Sequence, residues 1–137
     1  LGAGSGWRGE APLIGQFGVQ TLGDGSFTAT GPMFRGASME LGKMAVLRTS
    51  GVEILVSSKK MQLADQSIFR HLGIEPSSRS ILVLKSSVHF RADFTELAGE
   101  IIVAAAPGPN PANNLDLPFE NVRPGIRLAP GGPILQK

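Results

Sequence analysis

Residues 81–105, ILVLKSSVHFRADFTELAGEIIVAA, decide the predicted fold. Ile81–Leu84 is a short, continuous apolar run, which is typical of a strand buried on both faces. Val88–Ala98 carries a stripe of apolar side chains at helical spacing and is followed by Gly99, so it predicts a helix. Ile101–Ala105 has the composition of a second buried strand. This succession predicts two parallel strands joined by a right-handed crossover.

The segment before this unit extends the same pattern. Met44–Thr49 and Val52–Ser57 read as two short strands, and Ser50-Gly51 between them predicts a tight turn of an antiparallel pair. Asp65 suits the N-cap of a helix, and Gly73 suits the position after the end of that helix. The strand at Val52–Ser57 would therefore join the two later strands in a short parallel βαβαβ unit.

The N-terminal half predicts antiparallel hairpins. Ile14–Leu22 and Ser26–Thr30 alternate well enough for two strands, and Asp24-Gly25 between them is a strong hairpin signal. Residues 1–12 form a glycine-rich, loop-like opening segment, and residues 107–137 hold seven of the ten prolines and predict an extended tail. We therefore expect one mixed α/β domain over residues 1–137, with N-terminal hairpins, a parallel βαβαβ unit and this tail.

Composition excludes several classes of protein. A chain of 137 residues suits one domain, and the absence of cysteine excludes disulfide scaffolds, thiolate metal sites and cysteine nucleophiles. Two histidines are too few for a His-rich metal site, so we expect no metal or cofactor in this chain. A net charge of +2 gives no strong attraction to nucleic acid, and no apolar run reaches the roughly 20 residues of a membrane span. No leader pattern opens the sequence, so we expect a cytoplasmic protein.

The candidate site lies where the central strand would end. Ligands of open parallel sheets bind outside the carboxyl ends of the strands. There, Lys85, Ser86 and Ser87 supply an ammonium group and two hydroxyls, and the predicted helix would add free N–H groups that favour a carboxylate or phosphate. His89 and Arg91 would lie on the same rim, where a neutral imidazole could exchange one hydrogen bond with a ligand.

A structural interpretation of the same residues is open, and the residues alone favour it. Ser86 or Ser87 would then act only as an N-cap, worth about 1 kcal/mol. Lys85 would be a solvated charge at a strand end, and His89 a structural histidine.

The block Lys85–Ala92, KSSVHFRA, is also the most specific part of a family resemblance. The chain resembles the C-terminal domain of the microcystinase C (MlrC-like) family of bacterial metallopeptidases over nearly its whole length. Other stretches that carry the resemblance are Gly23-Asp24-Gly25, Gly31-Pro32-Met33, Val52–Gln62, Phe69-Arg70 and Gly73–Pro76.

The resemblance implies a division of labour. Full-length members carry the ligands of a catalytic zinc in a larger N-terminal domain, which this chain lacks, and they hydrolyse peptides. The chain would then pack against that metal domain and be inactive alone, with Lys85, Ser86, His89 and Arg91 placed to line the peptide cleft. The alternative is a non-catalytic scaffold or oligomerisation module, in which copies of the chain would associate through the tail.

Overall fold

Strands β4 (Met44–Thr49) and β5 (Val52–Ser57) form an antiparallel hairpin in a computed structural model, which describes residues 12–105, 113 and 117–134. Ser50 and Gly51 connect them with φ angles of 47° and 81°. Two successive positive φ angles are characteristic of the tight turn that matches the twist of a hairpin. The predicted pair and its turn are confirmed.

Strand β1 (Gly18–Gly23) completes a three-stranded antiparallel sheet of order β1-β4-β5. Its register with β4 shifts between Val19 and Thr21, which marks a bulge. Strands β2 (Ser26–Thr28) and β3 (Ser38–Glu40) pair with each other in a separate antiparallel ribbon.

The hairpin predicted around Asp24-Gly25 is wrong, because β1 and β2 lie in different sheets. The turn itself exists: Gly25 has a φ of 76°, and Asp24 accepts a hydrogen bond from the Ser26 N–H at 2.9 Å. A Cβ on Gly25 would stand 2.1 Å from the Gly42 carbonyl oxygen, so the glycine permits a close backbone approach. Sequence reasoning identified the turn and misassigned the strand partners.

The helical segments are short. Helix α1 spans Ser67–Arg70, a 3₁₀ turn spans Pro76–Ser78, helix α2 spans Arg91–Phe94, and a second 3₁₀ turn follows at Thr95–Leu97. Gly73 has a φ of 79°, as expected for a glycine that ends a helix. Helix α2 and its 3₁₀ turn cover only part of the helix predicted over 88–98.

The predicted parallel βαβαβ unit is wrong: all the strand pairs in the described part of the chain are antiparallel. Residues 81–84 and 101–105 lie outside these strands. Ile81 and Val83 are exposed, whereas Leu82 and Leu84 pack against the core. The apolar run predicts burial on both faces, whereas the described residues cover one face only.

The core lies between the three-stranded sheet, helix α1 and Phe94 of helix α2. Its buried members are Leu41, Met44, Val46, Ile68, Phe69, Leu72, Ile74 and Phe94. Phe69 and Phe94 meet edge to face with ring centroids 6.1 Å apart. This packing fixes both short helices, which are too short to be stable by themselves.

The chain divides into two compact units, one of residues 15–101 and one of residues 1–14 and 102–137. In the second unit, residues 117–134 contain an antiparallel bridge between Arg127 and Ile134. The opening segment 1–11 and residues 106–112, 114–116 and 135–137 lie outside the described residues. The predicted loop-like opening of residues 1–12 therefore lies outside the described residues except for residue 12, whereas residues 113 and 117–134 of the predicted tail lie within them. Both stay predictions.

Candidate functional site

The candidate residues lie on one short turn, which links residues 81–84 to helix α2. Lys85, Ser87, His89 and Arg91 are exposed and Ser86 is half-buried. The turn is held at its start by the Lys85 carbonyl, which accepts a hydrogen bond from the Leu63 N–H at 3.4 Å. The candidate residues that the sequence indicates are thus neighbours along one turn.

Ser86 orders this turn from within. Its Oγ accepts a hydrogen bond from the Phe90 N–H at 3.3 Å, and its own N–H donates to the Leu84 carbonyl at 3.0 Å. Ser86 is not the N-cap of helix α2, because that position is Phe90, which makes no side-chain cap hydrogen bond. Ser87 has no such contact with the described residues.

Three consecutive backbone N–H groups in the turn are available to a ligand. The N–H groups of Ser87, Val88 and His89 donate to no acceptor that the described residues provide. Successive free N–H groups of a turn can bind one anion together. Helix α2 has four residues and begins after His89, so these N–H groups belong to the turn and not to the first turn of a long helix.

His89 is held by a residue that sequence reasoning did not select. Its Nδ1 contacts the Oε1 of Gln62, an exposed residue that precedes Leu63. An amide oxygen only accepts, so in the neutral imidazole Nδ1 carries the proton and Nε2 is left as an acceptor. The contact spans 27 positions in the sequence, so sequence spacing carried no signal for it.

Arg91 lies over an aromatic ring. Its Cζ is 5.2 Å from the centroid of the Phe90 ring, within the range of a cation–π interaction. Phe90 in turn packs against the core. The Phe90 ring therefore orients the guanidinium group of Arg91, which remains exposed to solvent.

Lys85 also lies at a small apolar cavity of about 160 Å³. Its polar lining is Ser57 and Lys85, and its apolar lining is Leu41, Met44, Leu55, Met61, Leu63 and Ile68. The Ser57 hydroxyl already donates to the Lys59 carbonyl at 2.7 Å. The turn thus combines positive charge on its surface with a small apolar recess beside it.

Two carboxylates, Asp65 and Asp93, accept hydrogen bonds that connect helix α2 to helix α1 and to Gly31. Asp65 is 1% exposed, and its Oδ2 accepts from the Gly31 N–H at 2.8 Å while Oδ1 accepts from the Ser67 N–H at 2.9 Å. Asp93 accepts from the Gln66 N–H at 2.6 Å and so ties helix α2 to the start of helix α1. The sequence predicted Asp65 as a helix cap and gave no indication of the link to Gly31.

These hydrogen bonds decide the charge of Asp65. Burial alone would raise its pKa, but the Ser67 hydroxyl and the N–H groups of Ser67, Gly31 and Thr30 outweigh burial and lower the pKa. Asp65 is therefore a stable carboxylate with its acceptors occupied, and its role is structural.

His71 is a structural histidine. Its ring stacks on Phe27 with centroids 4.4 Å apart, and its Nδ1 lies 3.1 Å from the Ser67 carbonyl. Its Nε2 is buried and has no hydrogen-bond partner among the residues that the structure describes. The stacking on Phe27 and this hydrogen bond account for the position of the ring.

The described residues do not form a metal site. No three His, Asp or Glu side chains among residues 12–105, 113 and 117–134 lie close enough together to hold a metal ion. The part of the chain that the structure describes also has no helix long and apolar enough to cross a membrane.

A protein-family comparison decides what kind of domain this is. The family described as MlrC C-terminus matches residues 1–121, which include the whole candidate site. The chain belongs to the MlrC C-terminus family. The resemblance carried by the block Lys85–Ala92 is confirmed.

Two relatives of this MlrC C-terminal domain are longer proteins. The chain is 31% identical over 72 residues to microcystinase C of Sphingomonas sp, which corresponds to 53% of this chain and 14% of that protein. It is also similar to the crystal structure of a "Putative metallopeptidase" from Mesorhizobium sp. BNC1, with a TM-score of 0.72 and 26% identity. That match covers 83% of this chain and 23% of the other. Each match therefore covers less than a quarter of the longer relative.

Proposed function

We propose that this chain is the C-terminal domain of a zinc-dependent peptide hydrolase and lines its substrate cleft. The observation that carries the proposal is the family match over residues 1–121, together with a metallopeptidase relative of which the match covers only 23%. In this proposal the zinc, its ligands and the attacking water belong to a separate metal domain. The chain itself binds and orients the peptide and is inactive alone.

The turn 85–91 supports a role in binding an anionic group. The ammonium group of Lys85, the guanidinium group of Arg91 and the free N–H groups of Ser87, Val88 and His89 all favour a carboxylate. A linear peptide ends in a carboxylate. We therefore assign the turn to the C-terminal end of a peptide substrate.

His89 would contribute a directed hydrogen bond. Its contact with Gln62 fixes the ring and leaves Nε2 as an acceptor in the neutral form. A peptide N–H is a donor of the required kind, so His89 would orient the substrate backbone beside the carboxylate. Neither His89 nor Gln62 supplies a catalytic group in this proposal.

Steady-state kinetics of the longer parent protein test this role. Lys85→Ala and His89→Ala should each raise KM for linear peptides about tenfold and leave kcat little changed, because they remove substrate contacts. Lys43→Ala is the matched control, because Lys43 is an exposed lysine outside the turn. Unchanged kinetics in both variants would assign the turn a purely structural role.

The alternative is a scaffold that associates with further copies of itself. It is favoured by the exposed apolar side chains of Ile81 and Val83, which no described residue covers. A parent protein without metal or peptidase activity, and a chain that self-associates, would support this alternative.

A further inference from the structure

The segment Ile81–Leu84 has the side-chain pattern of a strand that is covered on one side only. Leu82 and Leu84 pack against the core, whereas Ile81 is 83% exposed and Val83 is 92% exposed. Their alternation has the period of two that is characteristic of extended chain. Two β-branched side chains are thus presented together on the outer face.

The backbone of the same segment has free hydrogen-bonding groups. The N–H and C=O groups of Ile81, Leu82 and Val83 form no hydrogen bond with the residues that the structure describes. A row of unpaired backbone groups on an extended apolar segment is a template for pairing with another strand. A helix or a loop packed on Ile81 and Val83 would cover the side chains and leave those backbone groups unpaired.

We propose that a β-strand of the metal domain pairs with Ile81–Leu84, and that the metal domain buries Ile81 and Val83. This inference rests on the proposed function, since it names the surface through which the two domains join. It is supported by the length of the relatives, because the match covers only 23% of the solved metallopeptidase and leaves most of that protein to supply a partner. This pairing would place the turn 85–91, which follows Ile81–Leu84 directly, next to the metal domain.

A second copy of the chain is a poorer occupant. Symmetric antiparallel pairing centred on Leu82 would place Ile81 opposite Val83 and Arg79 opposite Lys85, twice over. Like charges directly opposite each other destabilise a strand pair. Arg79 already forms a salt bridge with Glu53 at 2.8 Å. In such a dimer, either this salt bridge would break, or Lys85 of the other copy would lie next to the salt-bridged Arg79.

Amide hydrogen exchange on the longer parent protein tests the pairing directly. The amides of Ile81–Leu84 should exchange about 100-fold more slowly there than in the 1–137 chain, because a strand ladder protects them. Val83→Lys should lower the melting temperature of the parent protein by several degrees, because it buries a lysine at the domain contact. Val52→Lys is the matched control, at an exposed valine on β5 outside the segment, and should have little effect.

Unprotected amides at Ile81–Leu84 in the parent protein would overturn the inference even if Val83→Lys failed to fold. Protection that appears equally in the isolated chain at high concentration, together with dimer formation, would also overturn it in favour of a second copy. Protection in a parent protein that holds no zinc and cleaves no peptide would support the domain contact while the proposed activity failed.

Discussion

Asp65 is the residue on which the local structure of the site depends most. Its two oxygens accept hydrogen bonds from Gly31 and Ser67, which lie on separate parts of the chain, and the side chain has no access to solvent. A charged acceptor with several donors contributes more than a neutral hydrogen bond. The network holds helix α1 against the loop after β2.

Asp65→Asn should lower the free energy of unfolding by about 3 kcal/mol, because the amide replaces an acceptor oxygen with a donor among buried N–H groups. Asp24→Asn is the control, since Asp24 is exposed and accepts one bond from Ser26; we expect about 1 kcal/mol or less. Chemical denaturation followed by circular dichroism measures both. Equal losses in the two variants would contradict the role given to Asp65.

The lowered pKa of Asp65 adds a pH dependence to the same prediction. Because its pKa is lower in the folded state than in the unfolded state, the carboxylate stabilises the fold above the unfolded-state pKa. That stabilisation is lost as the pH falls through the folded-state pKa.

The Arg70 and Ser77 hydrogen bonds lower the pKa of Glu75 to about 2, so this exposed carboxylate changes stability in the same direction. The acid-induced loss of stability should therefore be smaller in Asp65→Asn than in the wild-type chain.

At the scale of elements, the loop after β2 and the two short helices meet at a glycine. A Cβ on Gly31 would stand 2.7 Å from Asp93 Oδ2 and 2.8 Å from Asp65 Oδ2. Both carboxylates are fixed by hydrogen bonds, so neither can move away freely. Only a residue without a side chain lets the three segments approach this closely.

Gly31→Ala should therefore destabilise the fold by about 1–3 kcal/mol, because the methyl group overpacks a fixed polar cluster. Gly99→Ala is the matched control, since a Cβ there meets nothing within 4 Å. Thermal unfolding compares the two substitutions. If Gly31→Ala is as stable as Gly99→Ala, the loop moves to accept the methyl group without loss of stability, and the overpacking argument is wrong.

The elements that could be predicted from sequence are those decided by local chemistry. Ser50-Gly51 predicted its hairpin correctly because both residues accept the positive φ angles that the turn requires. Asp24-Gly25 predicted a real turn but the wrong pairing, because the partner of β1 is set by contacts with β4 far along the chain. The parallel unit failed for a related reason: an apolar run such as Ile81–Leu84 indicates burial but not its extent, and here Leu82 and Leu84 pack on the core while Ile81 and Val83 are exposed.

The candidate site shows the same division. The cationic and polar side chains of residues 85–91 are neighbours in sequence, so their proximity was predictable. The contact of His89 with Gln62, the position of Arg91 over Phe90 and the convergence of Asp65 and Asp93 on Gly31 depend on tertiary structure. No spacing in the sequence specifies them. The role of the turn in binding substrate stays a prediction.

At the scale of the whole molecule, the chain has the features of a part. It belongs to a family of C-terminal domains, and its matches cover less than a quarter of each relative described above. Two of its β-branched side chains, Ile81 and Val83, face solvent on a segment that pairs with no strand among the described residues. Its described residues supply no metal site of their own. The family match and the partial coverage of both relatives are the observations on which the proposed role as one domain of a longer protein rests.

The most direct test measures zinc content and hydrolysis of a panel of linear peptides, on the longer parent protein and on the 1–137 chain side by side. The account predicts about one zinc ion per molecule and peptide cleavage in the parent protein. It predicts neither in the 1–137 chain. A parent protein that binds no zinc and cleaves no peptide would contradict the account, and so would a 1–137 chain that is active alone.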